Sequence, residues 1–316
     1  MEQHIEDILQ SLDAGLLLGA IYGLMCVGLS LIFGVMRVIN FAQGDFMMLG
    51  MYSAYYLFSL LGLRAVFGDA AGPFVAALLA GPVLFVIGYL VQRLLLARVT
   101  GTRVGALEGD GHYAQLILTL GFALILQSAG QVLFGSTPVS IQSSLSSSAW
   151  ELDVWGEDIS IFVNQSRAFG ALVALIVVGV LVLFINRSRL GKSLRAAADN
   201  VQAALYMGID VDRAHRITFG LGIGVTAIAG GLLASSYPFT PYVGLDYVII
   251  MYAGVVLGGL GSTIGAFWGG MLIGLIQQGS SLILPTQLQN TAIFGVFLLV
   301  VFLRPQGLFG RSVDRT

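Results

Sequence analysis

The sequence has 316 residues, of which 57% are hydrophobic and only 10% are charged, whereas a typical soluble domain is about 25% charged. The net charge is -2 and the mean hydropathy is +0.89. These values exclude a disordered chain, a collagen and a soluble globular enzyme, because too few charged groups are available to cover a water-exposed surface. They favour a multi-pass membrane protein and give no indication of nucleic-acid binding.

The apolar segments that can cross a membrane follow one another along the whole chain. The chain begins with MEQHIEDILQ, which is acidic where a signal peptide would be positive, so we expect the first apolar run to remain as a spanning segment. A helix needs about 20 apolar residues to cross a bilayer. The sequence predicts nine spans, at residues 14–36, 42–62, 73–91, 114–134, 168–185, 217–237, 246–262, 264–284 and 290–303. Eight crossings with one re-entrant piece are the alternative, because 246–284 is almost continuous and 42–62 begins with polar residues.

The basic residues predict the orientation, because cytoplasmic loops of membrane proteins carry an excess of Lys and Arg. All but two of the 15 basic residues fall on one side of nine alternating spans. They are Arg37, Arg93, Arg98, Arg103, Arg187, Arg189, Lys192, Arg195, Arg213, Arg216, Arg304, Arg311 and Arg315. The acidic N-terminus falls on the opposite side, as do the acidic loop residues Glu151, Asp153, Glu157 and Asp158. We therefore expect the N-terminus outside and the C-terminus inside, with Arg64 and Arg167 as the exceptions.

A polar stretch, residues 37–45, joins the first two spans. The simplest interpretation is a short cytoplasmic turn. Asp45 favours a second interpretation, in which this residue lies within the membrane. The residues that follow it are almost all apolar, so the second span can begin before Asp45. An ionisable residue inside a bilayer is costly and usually faces a cavity or a partner, although Asp45 could also cap its helix. Asn40, Gln43 and Asp45 are therefore candidates for a transport pathway.

Two hydrophilic regions are long. Residues 135–166 are predicted to form an outer loop, rich in serine, with Trp150 and Trp155 interleaved. We expect a solvated loop with interfacial tryptophans, and a docking surface for an external partner is the alternative. The other region, residues 186–216, is basic and is predicted to lie on the cytoplasmic side.

The 186–216 loop is predicted to contain one or two short amphipathic helices. The residues expected on one helical face are Leu194, Ala198, Val201 and Leu205. Asn200 is a possible N-cap for a helix that ends at Met207, with Gly208 just after its C-terminus. Such a helix can lie on lipid or insert into a groove on a cytoplasmic partner, and the spacing leaves both alternatives open.

Glycines spaced four residues apart predict tight packing between membrane helices. The cluster Gly258, Gly259 and Gly261 also predicts an interruption of the helix, because each glycine costs about 1 kcal/mol relative to alanine. Non-helical backbone within a membrane is tolerated where protein covers it or where it lines a cavity. These three glycines are therefore further candidates for the pathway.

The sequence contains no motif typical of a metal-binding, nucleotide-binding or catalytic site. The three histidines are far apart in sequence, and no Cys or His pair has zinc-binding spacing. Gly191-Lys192-Ser193 is not a phosphate-binding loop, because Asn186 stands where the first glycine would be needed. We therefore expect no ATPase activity in this chain, so active transport would need another subunit or an ion gradient.

Three stretches resemble the branched-chain amino acid permease subunits of ABC importers. They are GLSLIFGVMRVINFAQGDFMMLG at 28–50, VVLGGLGSTIGAFWGG at 255–270 and RPQGLFG at 304–310. Residues 191–208 resemble the cytoplasmic loop of ABC-importer permeases that packs on the ATPase. The resemblance covers nearly the whole chain in order. It implies an all-α polytopic transmembrane helical bundle with a single permease domain over residues 1–316.

The resemblance also implies a mechanism and partners. Such permeases work in pairs, usually of two different subunits, on two cytoplasmic ATPase subunits, and receive substrate from a periplasmic binding protein at the bacterial inner membrane. ATP and Mg²⁺ would bind the ATPases, and this chain would hold no cofactor. The coupling contact would be made by Arg195, Ala203, Ala204 and Gly208, although no Glu precedes Ala203-Ala204 as in other importers.

The resemblance implies a branched-chain or related amino acid as substrate, because the permeases that the chain resembles carry leucine, isoleucine or valine. Relatives of these permeases carry urea, other amides or aromatic compounds, so a substrate of one of these classes is the alternative. A secondary transporter or channel is an alternative of another class, and Asp45 is the residue that could couple it to an ion. A membrane scaffold without transport activity is the third alternative.

Overall fold

The computed structural model describes residues 2–100, 110–153, 160–285, 288–304 and 306–309. The helices are α1 (Glu2–Met36), α2 (Gln43–Ser59), α3 (Leu63–Val91), α4 (Ala97–Thr100), α5 (Asp110–Phe134), α6 (Gln165–Arg187), α7 (Arg189–Asp199), α8 (Val201–Tyr206), α9 (Val211–Ala234), α10 (Val243–Gly258), α11 (Thr263–Ser280) and α12 (Gln289–Leu303). The strands are β1 (Ala149–Asp153) and β2 (Ser160–Asn164). A π-helical turn, Gln92–Leu96, joins α3 to α4.

The polytopic helical prediction is confirmed. Within the described residues, 5 helical segments are long and apolar enough to cross a membrane. They are His4–Met36, Leu63–Leu96, Ala114–Phe134, Gln165–Arg187 and Val211–Ala234. The remaining predicted spans coincide with the shorter helices α2, α10, α11 and α12. The third helix begins earlier than predicted, at Leu63 rather than residue 73, and is interrupted at Gly68, whose φ is +74°.

Helix α1 is the centre of the bundle and packs along α11, α9, α6 and α10. Its contact with α11 is glycine to glycine, because a methyl group built on Gly270 would lie 2.5 Å from the Gly23 nitrogen. A methyl group built on Gly19 would lie 2.7 Å from the Met271 carbonyl oxygen. The predicted close packing of helices through glycine is therefore confirmed at this contact.

The loop at residues 135–166 contains a β-hairpin, a small addition to the helical bundle. Strands β1 and β2 are antiparallel, with Ala149 opposite Asn164. The Gln10 side chain extends the pairing from α1, since its Nε2 donates to the Phe162 carbonyl oxygen (2.8 Å) and its Oε1 accepts from the Phe162 amide (3.0 Å). The Trp150 ring packs on Phe169 at 5.6 Å between centroids. A contact from α1 therefore supports strands that the loop composition did not predict.

The two ends of α1 mark the two ends of the bundle. Gln10 contacts the β-hairpin at one end. At the other end, a methyl group built on Gly34 would lie 3.3 Å from the Gly261 Cα, and the Leu308 amide donates to the Leu257 carbonyl oxygen (2.8 Å). The beginning of α1 and the last described residues therefore lie at opposite ends of the bundle.

Several residues used in the sequence analysis lie outside the described residues. They are Arg103, Arg311 and Arg315 among the basic residues, Trp155, Glu157 and Asp158 in the 135–166 loop, and Pro305 and Gly310 in the C-terminal motif.

Candidate pathway and coupling sites

The turn between α1 and α2 is partly buried, since Arg37, Ile39 and Phe41 are exposed whereas its other polar side chains are not. Asn40 and Gln43 are both 0% exposed. The Asn40 side-chain oxygen accepts from the Ala42 amide (3.2 Å), and its Nδ2 donates to Gln43 Oε1 (2.9 Å). Gln43 Nε2 in turn donates to Thr226 Oγ1 on α9 (2.6 Å). These bonds satisfy polar groups that would be costly to leave unpaired away from water, and they tie the turn to α9.

Asp45 faces the protein interior rather than lipid. It is 2% exposed, and its Oδ1 accepts a hydrogen bond from Gln127 Nε2 of α5 (3.0 Å). A methyl group built on Gly244 of α10 would lie 2.7 Å from the same oxygen. The N-cap position of α2 is held by Ala42, so Asp45 does not occupy it and lies instead within the first turn, where the helix dipole favours an acidic group.

We expect Thr226→Val to lower the free energy of unfolding by about 1–3 kcal/mol, because it leaves the buried Gln43 amide with only a longer contact to the Gly222 carbonyl oxygen (3.4 Å). Thr218→Val is the matched control. Thr218 is also 0% exposed on α9, and its Oγ1 has no hydrogen-bond partner within the described part of the chain. Thermal unfolding in detergent measures both variants. Equal destabilisation would contradict the role given to the Gln43–Thr226 bond.

The predicted interruption at 258–262 is confirmed and forms the tip of a helical hairpin. Gly259 and Gly261 have φ of +99° and +85°, which side-chain-bearing residues rarely adopt. Ser262 then caps α11, because its Oγ accepts from the Gly265 amide (3.1 Å). Gly258 contacts Gly265 further along α11, so α10 and α11 run antiparallel and in close contact. The turn also packs on Gly34 of α1, as described above.

The predicted caps of the 186–216 loop are confirmed. Asn200 caps α8, since its Oδ1 accepts from the Ala203 amide (3.0 Å). At the other end, Gly208 has φ +77° and donates to the Leu205 carbonyl oxygen (3.0 Å), while the Ile209 amide donates to Ala204 (3.0 Å). This pair of bonds is the Schellman motif that ends many helices at glycine.

The predicted apolar face of this loop is wrong after Asn200. Asn200 has extended backbone angles (φ −152°, ψ 107°), so α7 and α8 are separate helices and one periodicity does not continue through both. Val201 and Leu205 are exposed as a result. The buried set is Leu194, Ala197, Ala204, Val211 and Ala214, which pack between α7, α8 and α9.

The candidate coupling residues occupy different environments. Arg195 is exposed and donates to the Asn186 carbonyl oxygen (3.3 Å). Ala203 and Gly208 are also exposed, whereas Ala204 is buried beneath them. Beside them are two exposed apolar side chains that the sequence analysis did not select, Tyr206 (89% exposed) and Met207 (82%). The sequence could have indicated both residues, because each is a large apolar residue at the end of a predicted helix in a basic loop.

Comparisons with known proteins agree on one family. The family described as branched-chain amino acid transport system / permease component matches residues 11–303. The chain is 29% identical over 314 residues to the high-affinity branched-chain amino acid transport system permease protein LivH of Escherichia coli K12, covering 98% of each chain. It is 29% identical over 308 residues to the corresponding protein BraD of Pseudomonas aeruginosa, covering 96% of each.

A more distant relative has a different name. The chain is 26% identical over 293 residues to the autoinducer 2 import system permease protein LsrD of Salmonella paratyphi B, covering 88% of this chain and 84% of that protein. No solved structure gives a significant match.

Proposed function

The chain belongs to the family of branched-chain amino acid transport permease components, and from this membership we propose that it is the membrane-spanning permease subunit of an ATP-driven ABC importer. The whole chain would act as one permease domain. The observation that carries the proposal is the family match over residues 11–303, which includes the capped helices α7 and α8. Branched-chain amino acids are the proposed substrates, because the relatives of 29% identity are named for them.

The proposed assembly contains four other subunits of three kinds. A second permease subunit, two cytoplasmic ATPase subunits and a periplasmic binding protein would work with this chain in a bacterial inner membrane. The ATPases would bind ATP and Mg²⁺ and hydrolyse the nucleotide. We propose that the N-terminus lies outside and the C-terminus in the cytoplasm, because Arg37, Arg187 and Lys192 follow the ends of α1 and α6 on the side opposite the β-hairpin.

The α7–α8 loop is the proposed contact with the ATPases. Exposed Arg195, Ala203 and Gly208 would face the partner, and Tyr206 and Met207 would enter a groove on it. Buried Ala204 would hold α8 on α9, so that a displacement of α8 by the ATPases would also move the membrane helix α9. Closure of the ATPases on ATP would then rock the bundle and open the path outward, and hydrolysis would return it inward.

The proposed pathway lies near the partly buried turn between α1 and α2 and the glycine hairpin tip. Asn40, Gln43 and Asp45 would supply hydrogen-bonding groups within an otherwise apolar bundle. Gly258, Gly259 and Gly261 would allow the α10–α11 tip to change its backbone angles during the cycle.

Reconstitution tests the proposal. The permease pair, the ATPases and the binding protein are incorporated into liposomes, and uptake of radiolabelled leucine is measured with ATP on the cytoplasmic side. We expect uptake that requires ATP and the binding protein together. A secondary transporter is the second candidate, favoured by the buried carboxyl of Asp45. Uptake driven by a proton or sodium gradient without ATPases would support that candidate and contradict the first.

We expect Asp45→Asn to reduce ATP-driven uptake about tenfold, because the change removes a charge from the polar cluster while its amide oxygen can still accept from Gln127. Uptake is compared with wild type at equal expression. Asp69→Asn is the control, since the Asp69 side chain is 42% exposed and pairs with Arg64 at the surface. Unchanged uptake kinetics in Asp45→Asn would remove this residue from the pathway.

A further inference from the structure

A cavity of about 510 Å³ lies between α1, α6, α7 and the turn that begins α11. One wall is apolar. Its residues are Leu31, Val35, Val182, Ile185 and Leu194. Ligand pockets in proteins commonly have volumes of about 300–1,000 Å³ and combine apolar walls with a few polar groups. The cavity therefore has the size and the lining of a small-molecule site.

Two opposite charges line this cavity without neutralising each other. Arg195 and Asp199 are four residues apart on α7, and neither forms an ion pair within residues 2–100, 110–153, 160–285, 288–304 and 306–309. A basic residue on the N-terminal side of an acidic one is the less favourable order for pairing on a helix. Arg195 uses one guanidinium nitrogen to donate to the Asn186 carbonyl oxygen (3.3 Å), so other donors of its fork remain available.

The opposite side of the cavity offers further hydrogen-bonding groups. Ser262 satisfies the Gly265 amide (3.1 Å) and the Ala266 amide (2.8 Å), which leaves the first two amides of α11, those of Thr263 and Ile264, for another acceptor. Both residues line the cavity, and a helix N-terminus favours an anion.

An independent observation is the hydroxyl of Ser30. This residue lines the same cavity and is 1% exposed. Its Oγ is buried and has no hydrogen-bond partner among the described residues. A buried hydroxyl normally has a partner, so the cavity wall contains a polar group that a ligand can satisfy.

We infer that this cavity binds an α-amino acid with an apolar side chain, at the end of the bundle beside α7. Arg195, which belongs to the proposed ATPase contact and also lines the cavity, would hold the carboxylate together with the free amides of α11, and Asp199 would hold the ammonium group. The side chain would lie against the apolar wall, and the carboxylate would also accept a hydrogen bond from the Ser30 hydroxyl. The choice of a branched-chain amino acid rests on the proposed function, whereas the need for both a carboxylate and an ammonium group rests on the two charges of α7.

Direct binding tests the inference. Radiolabelled L-leucine is titrated onto the full-length permease in lipid nanodiscs, without ATPases or binding protein. We expect saturable binding that Arg195→Gln and Asp199→Asn each weaken about 10- to 100-fold, the effect of losing a charge-assisted hydrogen bond. Lys192→Gln is the matched control, because Lys192 is an exposed residue of α7 that is not among the residues lining the cavity.

Two analogues assign each charge to its group. Leucinol lacks the carboxylate, and 4-methylpentanoate lacks the ammonium group. Wild type should bind both more weakly than leucine. Arg195→Gln should lose its preference for leucine over leucinol and keep its preference over 4-methylpentanoate, and Asp199→Asn should do the reverse. Equal losses for every compound would indicate general unfolding and contradict the assignment.

The outcomes separate this inference from the proposed function. ATP-driven leucine uptake by the assembled transporter, with no saturable leucine binding to the permease, would overturn the cavity site alone. So would a tightly held phospholipid that leucine does not displace, because lipid would then be the occupant. Leucine binding to the permease without ATP-driven uptake of any amino acid would retain the site and overturn the importer proposal.

Discussion

Gly270→Val is expected to lower the free energy of unfolding by about 3 kcal/mol or more, at the upper end of the usual cost of overpacking. A Cβ at this position would lie 2.5 Å from the Gly23 nitrogen and 2.6 Å from its Cα. Both are backbone atoms of α1, so no side chain can turn aside to make room. The α1 and α11 axes would have to separate along the central contact of the bundle.

The test compares thermal unfolding of Gly270→Val and Gly179→Val in the same detergent. Gly179 lies on α6, and nothing lies within 4 Å of a methyl group built there. The two variants therefore add the same side chain to a membrane helix, with and without an opposing backbone. A comparable loss of stability in both would show that helix propensity, rather than the glycine contact with α1, explains the effect.

Gly208→Pro is expected to lower substrate-stimulated ATP turnover by about 100-fold in the assembled transporter. Proline fixes φ near about −65° and has no N–H, so it can neither adopt the φ of +77° at this position nor donate to Leu205. The end of α8 would change direction and carry Tyr206 and Met207 away from the proposed ATPase contact. A strain of about 3 kcal/mol corresponds to a population change of about 100-fold.

Gly135→Pro is the control for the effect of proline itself. Gly135 has a similar φ of +81° and donates to the Gln131 carbonyl oxygen (3.0 Å) at the end of α5. It begins the loop at residues 135–166 that contains the β-hairpin, at the other end of the bundle from α8. Both variants should lose stability, but only Gly208→Pro should uncouple the ATPases per folded complex. Normal assembly and stimulated turnover in Gly208→Pro would refute the coupling role of this loop.

Features that depend on neighbouring residues could be predicted from the sequence. The apolar runs predicted the membrane helices, and Asn200 and Gly208 predicted the start and end of α8 because caps use bonds within a few residues. The resemblance to branched-chain amino acid permeases is confirmed by the family match across most of the chain. The glycine spacing similarly predicted that helices would approach closely, although it did not identify Gly23 as the partner of Gly270.

Features that depend on distant residues could not be predicted. Asp45 was recognised as unusual, but its partner Gln127 lies 82 residues away, and Thr226 lies 183 residues from Gln43. No local pattern pairs such positions, because the packing of the helices brings them together. The prediction of one apolar face for the 186–216 loop was wrong for a related reason. The extended backbone at Asn200 separates α7 from α8, so the side chains of α8 do not continue the periodicity of α7.

The contact of Gln10 with the hairpin has a consequence for self-association. An amide side chain that both donates to and accepts from Phe162 reproduces the pairing that another strand would offer. That position of β2 is therefore already occupied and is protected from edge-to-edge association with a second molecule. Because Gln10 precedes the apolar part of α1, the first helix shields the periphery of the sheet as well as forming the centre of the bundle.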